Sequence, residues 1–221
     1  MKKTKKILQK YTPKFVYSVL VSAYWLVNPY RSPRVIFPHD HHWRVWHVSK
    51  GIFACVPNRW QGNRGSLELQ RRKLERYTHP GFVEVEQGDT VLDVGAFVGE
   101  FAIPASTKAD RVLSFEPDTH NFLCLDHNTK NTNNIRVYNK LAWSCNEPVE
   151  FNIGNDASDN SAFNVDSGNV KKTVHKKGIR LDSYLINSNV KKVDFLKLDA
   201  EGAEPQVLLG LENNPIKKVA I

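Results

Sequence analysis

The sequence predicts an α/β fold in which helices flank a parallel sheet, preceded by a helical and irregular extension. Three observations lead to this prediction. From residue 88 onward, short apolar segments alternate with segments of helical pattern, which is typical of βαβ units. Residues 31–64 are instead rich in Pro, His, Trp and Arg. The first thirty residues begin with many lysines and continue as an apolar run.

We therefore predict three parts: a basic and apolar leader in residues 1–30, an N-terminal extension or cap in residues 31–80, and an α/β domain in residues 81–221. A chain of 221 residues is long enough for one sizeable domain with an appendage. Its 41% hydrophobic and 24% charged residues are an ordinary globular mixture, which excludes global disorder.

The elements of the α/β domain follow from short apolar runs and from helical periodicity. Strands are predicted at 90–94, 111–115, 135–141, 193–198 and from 217 onward, with a short addition at 149–153. Helices are predicted at 99–108, 118–130 and 201–211. Asp118 or Thr119 is expected to cap the second of these helices. Residues 156–174 are polar and rich in Asn, Ser and Asp, which predicts a loop.

The cap region contains one further predicted helix. Residues 65–77 have helical periodicity, with Ser66 as the expected N-cap, and Pro80 and Gly81 end the pattern. The rest of residues 31–64 is predicted to be irregular or to form short strands.

Residues 15–27 form the apolar run FVYSVLVSAYWLV. The run is shorter than the roughly 20 residues that a membrane-spanning helix needs, and no small-x-small cleavage site of a signal peptide follows it. Two interpretations stay open. The preceding lysines and the Tyr and Trp residues favour a helix on a membrane surface, whereas a helix packed on the protein's own core needs no membrane.

The net charge of +8, with a pI of about 9.3, suits an anionic partner such as a phosphate, a nucleic acid or a membrane surface. Scattered solubilising charge explains the same numbers. The three cysteines are Cys55, Cys124 and Cys145. Their odd count and the lack of a C-x-x-C pair exclude a disulfide framework and a zinc signature. This usage indicates the reducing environment of the cytoplasm.

Histidines cluster in His39-Asp-His-His42, with His47 nearby. Adjacent residues in an extended segment point to opposite faces, so their side chains do not converge as metal ligands must. We predict no metal site, and we expect these residues to form a polar surface or a loop on the substrate side.

The loop after the first predicted strand has the sequence Asp93-Val-Gly-Ala-Phe-Val-Gly99. Gly95 permits a sharp turn and a close backbone approach to a ligand, and Gly99 lets a helix start close to the strand. Free N–H groups at that helix start favour a carboxylate, and the Asp93 carboxylate suits an ammonium group. Phe97 stands where a G-x-G-x-x-G fingerprint needs its second Gly, which disfavours a dinucleotide. A turn that binds no nucleotide is the alternative.

Glu116 lies at the end of the second predicted strand, 21 residues after Gly95. An acidic side chain at this position accepts hydrogen bonds from ribose hydroxyls. Together with the glycine loop it indicates a ligand that has a nucleoside and an amino-acid group, as S-adenosylmethionine (SAM) has. A surface acid in a turn is the alternative.

Four segments together resemble the FkbM-type SAM-dependent methyltransferases. They are Asp93-Val-Gly-Ala-x-x-Gly99, Phe115-Glu-Pro117, 128–134 and Asp194-Phe-Leu-Lys-Leu-Asp-Ala-Glu-Gly-Ala-Glu204. The last, with its pattern Lys-x-Asp-x-Glu-Gly-x-Glu, is the most specific. The resemblance covers about 60% of the chain, from Gly88 to the end. It implies the Rossmann-like sheet of class I methyltransferases, SAM as cofactor, and O-methylation.

The resemblance also implies roles for single residues. The loop residues would surround the methionine part of SAM; these are Asp93, Gly95, Ala96, Phe97 and Gly99. Glu116, followed by Pro117, would bind the ribose. Ala142 and Trp143 would lie near the adenine. Asp199 and Glu201 would flank the transferred methyl group, and Asp199 is counted with the cofactor-binding residues as well.

The chain departs from the family pattern in two places. The family commonly has Asn at the position of Phe97, which puts one polar contact to the cofactor in doubt. The class I sheet normally continues with two further strands that form an antiparallel pair, whereas this sequence stops at Ile221. We therefore expect the C-terminal strands to be missing from the sheet.

The predicted catalytic residues are Asp199, Glu201 and Lys197. Transfer to a hydroxyl benefits from a base that takes its proton, and Asp199 or Glu201 would act as that base or orient the acceptor. Lys197, two residues before Asp199 on the same strand face, would tune them. In the alternative, Lys197 and Asp199 form a structural ion pair, while Glu201 and Glu204 only favour the helix start.

The predicted acceptor is a hydroxyl group of a metabolite, a sugar or a lipid-linked glycan. Residues 31–64 and 154–180 are expected to build its pocket. An RNA acceptor would use the positive charge, but no RNA-binding module is visible in the sequence. The third alternative is a membrane-associated protein that binds SAM without catalysis.

Overall fold

The computed structural model describes residues 12–28, 33–40, 42–48, 52–59, 74–163 and 170–221. The first part is an N-terminal module, residues 14–57. It consists of helix α1 (Lys14–Val27) and strands β1 (Arg34–Pro38), β2 (His42–His47) and β3 (Ile52–Pro57). The three strands pair antiparallel in the order β1-β2-β3.

An α/β domain follows the module. Its strands are β4 (Thr90–Val94), β5 (Arg111–Phe115), β6 (Ile135–Tyr138), β7 (Leu141–Trp143), β8 (Pro148–Gly154), β9 (Asn160–Ser161), β10 (Val170–Arg180), β11 (Val193–Leu198) and β12 (Ile216–Ala220). Its helices are α2 (Ala102–Ala105), α3 (Thr119–Thr129), α4 (Leu181–Asn187) and α5 (Glu204–Leu209).

Five strands form a parallel sheet in the order β12-β11-β4-β5-β6. The chain runs outward from β4 through β5 to β6 and later places β11 on the other side of β4. The strand order therefore reverses between β4 and β11, as it does in a Rossmann-like sheet. Ligands of such sheets bind at the carboxyl ends of the strands beside this reversal. A second sheet, in the order β7-β10-β8-β9, flanks the first.

The central strands β4 and β11 of the parallel sheet are buried on both faces, which explains their nearly continuous apolar sequences. Leu92, Leu196 and Leu198 belong to a core cluster that also includes residues of α4 and α5. Val91 and Phe195 belong to a second cluster, which contains residues of α2. Because side chains alternate along a strand, each strand of the sheet contributes to both clusters.

Asn128 joins the N-terminal module to the α/β domain. Its side-chain amide donates to the carbonyl oxygens of Cys55 in β3 and of Val98, each at 2.9 Å. Its oxygen accepts from the backbone N–H of Cys55 at 2.6 Å. Cys55, Val98 and Cys124 form a small buried cluster beside these bonds. Asn128 in α3 therefore links the module to the loop that follows β4.

The structure confirms the α/β fold class and several of the predicted elements. The strands at 90–94, 111–115 and 193–198 have the predicted bounds. Helix α3 begins after Asp118, whose carboxylate accepts from the backbone N–H groups of His120 and Asn121. Residues 34–57 contain three short strands. Short strands were one of the two structures predicted for this region, and irregular structure was the other.

Other boundaries were predicted wrongly. The strand expected at 135–141 is two strands, because β7 leaves the parallel sheet and pairs with β10. Residues 170–174, expected to be loop, belong to β10, whose first half is exposed and so has a polar sequence. Helix α4 was not predicted. Only residues 74–77 of the helix expected at 65–77 are described, of which 74–76 are helical, and Ser66 lies outside the described residues.

Two predicted helices are shorter than expected. Helix α2 covers only residues 102–105 of the predicted 99–108, and α5 begins at Glu204 rather than Glu201. Gly99, Glu201 and Gly202 all have positive φ angles, which a right-handed helix does not allow. Within the described residues, no helix is long and apolar enough to cross a membrane.

Candidate functional site

A cavity of about 250 Å³ opens at the carboxyl ends of the parallel strands, beside the reversal of strand order. Most of the residues predicted to form the site line it. They are Gly95, Ala96, Phe97, Glu116, Pro117, Ala142, Lys197, Asp199 and Glu201. Asp93, Gly99 and Trp143 were predicted as well but are not in its lining. These nine residues come from four separate segments of the chain.

Asp93 and Lys197 face each other on neighbouring strands. They are direct register partners in β4 and β11, and the Lys197 ammonium lies 3.2 Å from Asp93 Oδ1. Both side chains are almost fully buried. The ammonium also donates to the carbonyl oxygens of Val94 at 3.2 Å and Gly95 at 2.6 Å. One cation thus neutralises a buried carboxylate and satisfies two carbonyl groups where β4 ends.

These contacts change the interpretation of Lys197. Its ion-pair partner is Asp93, not Asp199 as the structural alternative supposed. Asp93 is fully buried and does not line the cavity, and its carboxylate faces Lys197. The pair supports the floor of the site.

Asp199 is held by Tyr77, which was not predicted as a site residue. The Tyr77 hydroxyl donates to Asp199 Oδ2, and its ring lies 5.4 Å from the Lys197 ammonium. Burial, and then the neighbouring Asp199, raise the pKa of Tyr77 above its ordinary value. The phenol therefore stays protonated and acts as a donor. The two residues lie 122 positions apart, so no local sequence pattern connects them.

Position 95 must be glycine because two backbone segments approach each other closely there. Its φ is +74°, and a Cβ at this position would overlap the backbone carbonyl oxygen of Asp199. The Gly95 and Ala96 N–H groups both donate to the Phe115 carbonyl oxygen at 3.0 Å. The loop is therefore fixed between β5 and the segment after β11, and only glycine fits there.

Glu116 is fully buried in the wall of the cavity. Its Oε2 accepts from the N–H of Phe97, and its Oε1 accepts from the N–H of Asp118, both at 2.9 Å. Burial, and then the charge of Asp118, raise the pKa of Glu116 to about 8. A buried carboxyl group held at a cavity wall is suited to a ligand that brings hydroxyl groups to it.

Two cavity residues other than glycine have left-handed backbones. Phe97 has φ of +53° and Glu201 has φ of +49°. Such conformations cost about 1–3 kcal/mol and cluster at functional sites. The Asn that is common in the family at position 97 tolerates this conformation well. Phe97 instead packs against the buried cluster of the N-terminal module.

Gly99 and Trp143 contribute from behind the cavity. A Cβ on Gly99 would lie 3.2 Å from Leu125 of α3, so this glycine permits close packing. Its N–H donates to the Ala96 carbonyl oxygen, and α2 begins only at Ala102. The Gly99 N–H, which was expected to be free for a ligand carboxylate, is therefore already hydrogen-bonded. The Trp143 ring packs against Phe163, with 5.7 Å between centroids, while Ala142 lines the cavity.

The segment from 151 to 162 forms another wall of the cavity. Four residues of this segment line the cavity and belong to the region expected to bind the acceptor. They are Ala157, Ser158, Asn160 and Ala162. Arg59 holds this wall in place. Its guanidinium donates to the Gly154 carbonyl oxygen at 2.7 Å and pairs with Asp118 at 3.0 Å. Of the described residues in 31–64, none lines the cavity itself.

The histidines lie away from the cavity lining. The rings of His39 and His42 stack with 4.2 Å between centroids. Burial, and then the charge of Arg34, lower the pKa of His47 to about 4. In the part of the chain that the structure describes, no group of three or more His, Cys, Asp or Glu residues is arranged to hold a metal ion.

Residues 93–221 match the family model described as the methyltransferase FkbM domain. Over 157 residues the chain is 28% identical to the hexuronic acid methyltransferase AglP of Haloferax volcanii. This alignment covers 68% of the present chain and 58% of AglP. The chain thus spans less than two thirds of that relative's length.

Solved structures give weaker matches. A methyltransferase FkbM from Methylobacillus flagellatus is 18% identical with a TM-score of 0.43, covering 69% of this chain and 40% of that one. A SAM-dependent methyltransferase from Aquifex aeolicus is 16% identical with a TM-score of 0.36, covering 68% and 59%.

Substitution of Gly95 by Ala should destabilise the protein more than the same change at Gly88. Both glycines have positive φ, but a Cβ on Gly88 meets no atom within 4 Å. We expect Gly88→Ala to cost about 1 kcal/mol of unfolding free energy from φ alone. Gly95→Ala should cost at least about 2 kcal/mol more, because the Asp199 carbonyl must move. Urea unfolding of both variants measures this difference, and equal losses would contradict it.

Glu116 should make the protein less stable as the pH rises. The unfolded carboxyl ionises near its ordinary pKa of 4.5, whereas the buried one keeps its proton to about pH 8. Between these values the folded state binds more protons, so the free energy of unfolding falls with increasing pH. Glu116→Gln removes this contribution, and its stability should decline less over this range.

Urea unfolding at several pH values between the two pKa values tests this prediction. Glu150→Gln is the matched control, because the side chain of Glu150 is 72% exposed. The control should keep the pH dependence of the parent chain. An unchanged pH dependence in Glu116→Gln would show that Glu116 ionises normally.

Proposed function

The chain belongs to the FkbM methyltransferase domain family, and we propose that it transfers the methyl group of SAM to a hydroxyl group of a sugar-containing acceptor. The observation that carries the proposal is the cavity beside the strand reversal, where Glu116 and Asp199 line the same space. The first of these carboxyl groups suits a nucleoside, and the second suits an acceptor that must lose a proton.

The residues around the cavity fit the cofactor in two respects. Glu116 is a buried carboxyl group at the end of β5 that suits the ribose hydroxyls. Gly95 lets the loop run close to the Asp199 backbone, and it lines the cavity beside Ala96 and Phe97. Ala142 and Pro117 add apolar surface suited to the adenine. When bound, SAM supplies an activated methyl group on a sulfonium, so the protein mainly aligns the reactants and excludes water.

Asp199 is the proposed general base. Tyr77 donates to its Oδ2 and so fixes the orientation of the carboxylate. A hydroxyl of the acceptor would give its proton to Asp199 as its oxygen forms a bond to the methyl carbon, and the bond from this carbon to the sulfur of SAM would break to leave S-adenosylhomocysteine. Lys197 points to Asp93 and to two backbone carbonyls, so we assign it the support of the site rather than proton transfer.

Glu201 is proposed to orient the acceptor. Its left-handed backbone places it at the rim of the cavity, and its carbonyl oxygen accepts from Ser161 at 2.6 Å. This bond connects the residue to the wall formed by 151–162. Hydroxyl-rich acceptors are favoured by the polar groups of that wall, which include Ser158 and Asn160.

A sugar is favoured over other hydroxyl acceptors because of the 28% identical relative, which acts on a hexuronic acid. The polar wall agrees with an acceptor of this class. We propose that the reaction takes place in the cytoplasm, where SAM is supplied.

Thermal melting with three ligands tests the choice of cofactor. SAM and S-adenosylhomocysteine should each stabilise the protein, by about 2.7 kcal/mol at a ligand concentration 100 times Kd. NAD should not. Glu116→Gln should lose most of the stabilisation by SAM, whereas Glu150→Gln should keep it. Stabilisation by NAD alone would overturn the proposed function.

Substitution of the two acidic residues tests the assignment of the base. Asp199→Asn should lower kcat for transfer of labelled methyl groups to glycan acceptors by about 10²–10⁴-fold. Glu201→Gln should have a smaller effect on kcat and should raise the KM for the acceptor. Stabilisation by SAM, measured by thermal melting, should persist in both variants.

Glu204→Gln is the matched control for this test. Glu204 belongs to the same sequence motif, but its carboxylate accepts from the backbone N–H of Ala200 at 2.8 Å and does not line the cavity. The control should keep its activity within a few-fold. Full activity in folded Asp199→Asn and Glu201→Gln would show that neither residue has the proposed role.

A further inference from the structure

Helix α1 has an apolar face that nothing in the described structure covers. This apolar face consists of Phe15, Val16, Val19, Leu20, Tyr24, Leu26 and Val27, each between 43% and 78% exposed. At 100° per residue these side chains occupy about half of the helix circumference. A surface helix of a globular protein normally carries polar residues on this side. In α1 the only charged residue is Lys14, at the first position.

The other side of α1 is fixed on the protein, so the apolar face cannot turn inward. Tyr17 and Trp25 are buried in the cluster formed with Ile36 and Trp43 of the sheet below. Ser22 Oγ accepts from the backbone N–H of Ile36 at 3.0 Å. The helix therefore has two apolar sides, and only one of them has a partner within the described chain.

The net charge of the protein is concentrated in the part of the sequence that contains α1. Residues 1–39 contain eight of the 31 basic residues and none of the 23 acidic ones. The remaining chain has 23 of each, so the whole net charge of +8 belongs to the first 39 residues. Five of these charges are the lysines at positions 2, 3, 5, 6 and 10, immediately before α1. A partner of this region must therefore be anionic as well as apolar.

The apolar face also lies near the cavity. Phe97 and Ala157 line the cavity, and both contact the same cluster that packs beneath α1. Helix α1 and this cluster would therefore separate the cavity from a surface that binds the apolar face.

We propose that α1 docks the protein on the surface of a membrane that contains anionic lipids. The helix would lie in the plane of the interface, with its apolar face among the acyl chains and the lysines before it among the lipid phosphates. An apolar protein surface would satisfy the helix but would leave the concentrated positive charge without a partner. This location brings the cavity close to lipid-linked acceptors, a consequence that rests on the proposed function.

Flotation of the full chain with lipid vesicles tests the proposal without any activity measurement. Vesicles made of equal parts of phosphatidylglycerol and phosphatidylcholine should bind the protein, and added salt should weaken the binding. Pure phosphatidylcholine vesicles should bind it much less. The double variant Val16→Gln with Leu20→Gln should lower the partition coefficient by at least about tenfold, because two apolar side chains leave the interface.

The double variant Ile186→Gln with Leu209→Gln is the matched control. It also removes two exposed apolar side chains, 65% and 52% exposed, but from α4 and α5. Its partition coefficient should equal that of the parent chain, and both double variants should keep the parent melting temperature.

Two outcomes would overturn the proposal. One is the absence of flotation with anionic vesicles, or flotation that the α1 variant leaves unchanged. The other is a dimer in sedimentation equilibrium without lipid that Val16→Gln with Leu20→Gln dissociates, because a second copy of the chain would then cover the apolar face.

Discussion

The buried ion pair of Asp93 and Lys197 holds the ends of β4 and β11 together at the reversal of strand order. Two charges so far from water are costly, and removal of either partner from such a pair typically costs about 3–5 kcal/mol. The geometry of the site depends on this pair, because Lys197 also binds the carbonyl oxygens of Val94 and Gly95. The turn at Gly95 therefore starts from a fixed position, directly against the backbone of Asp199.

The N-terminal module completes the site from outside the region that matches the family. Asn128 bonds the module to the loop after β4, and Arg59 fixes the wall formed by 151–162. Tyr77, from the segment between module and domain, holds Asp199. Because Phe97 packs on the module, its left-handed backbone is stabilised by contacts that the α/β domain alone does not provide. The described residues of the module thus support the cavity without lining it.

The parallel sheet was predictable because its strands are buried on both faces and consist of short apolar runs with turn residues between them. The second sheet was not, because β10 is exposed along its first half and has the composition of a loop. Helix α4 was missed since its seven residues are too few for a periodic pattern. The starts of α2 and α5 depend on positive φ angles at Gly99, Glu201 and Gly202, which the loop geometry imposes.

By itself, the sequence determined which residue types follow each strand of the sheet, and these identified Gly95, Glu116 and Asp199 as parts of one site. Local patterns suffice for this because the carboxyl ends of parallel strands always meet at one edge. Only the tertiary structure decided which side chains pair there: Lys197 with Asp93 rather than Asp199, and Asp199 with Tyr77. Such partners are chosen by distance and burial across the sheet and the packed module, and neither quantity is encoded in the spacing of residues along the chain.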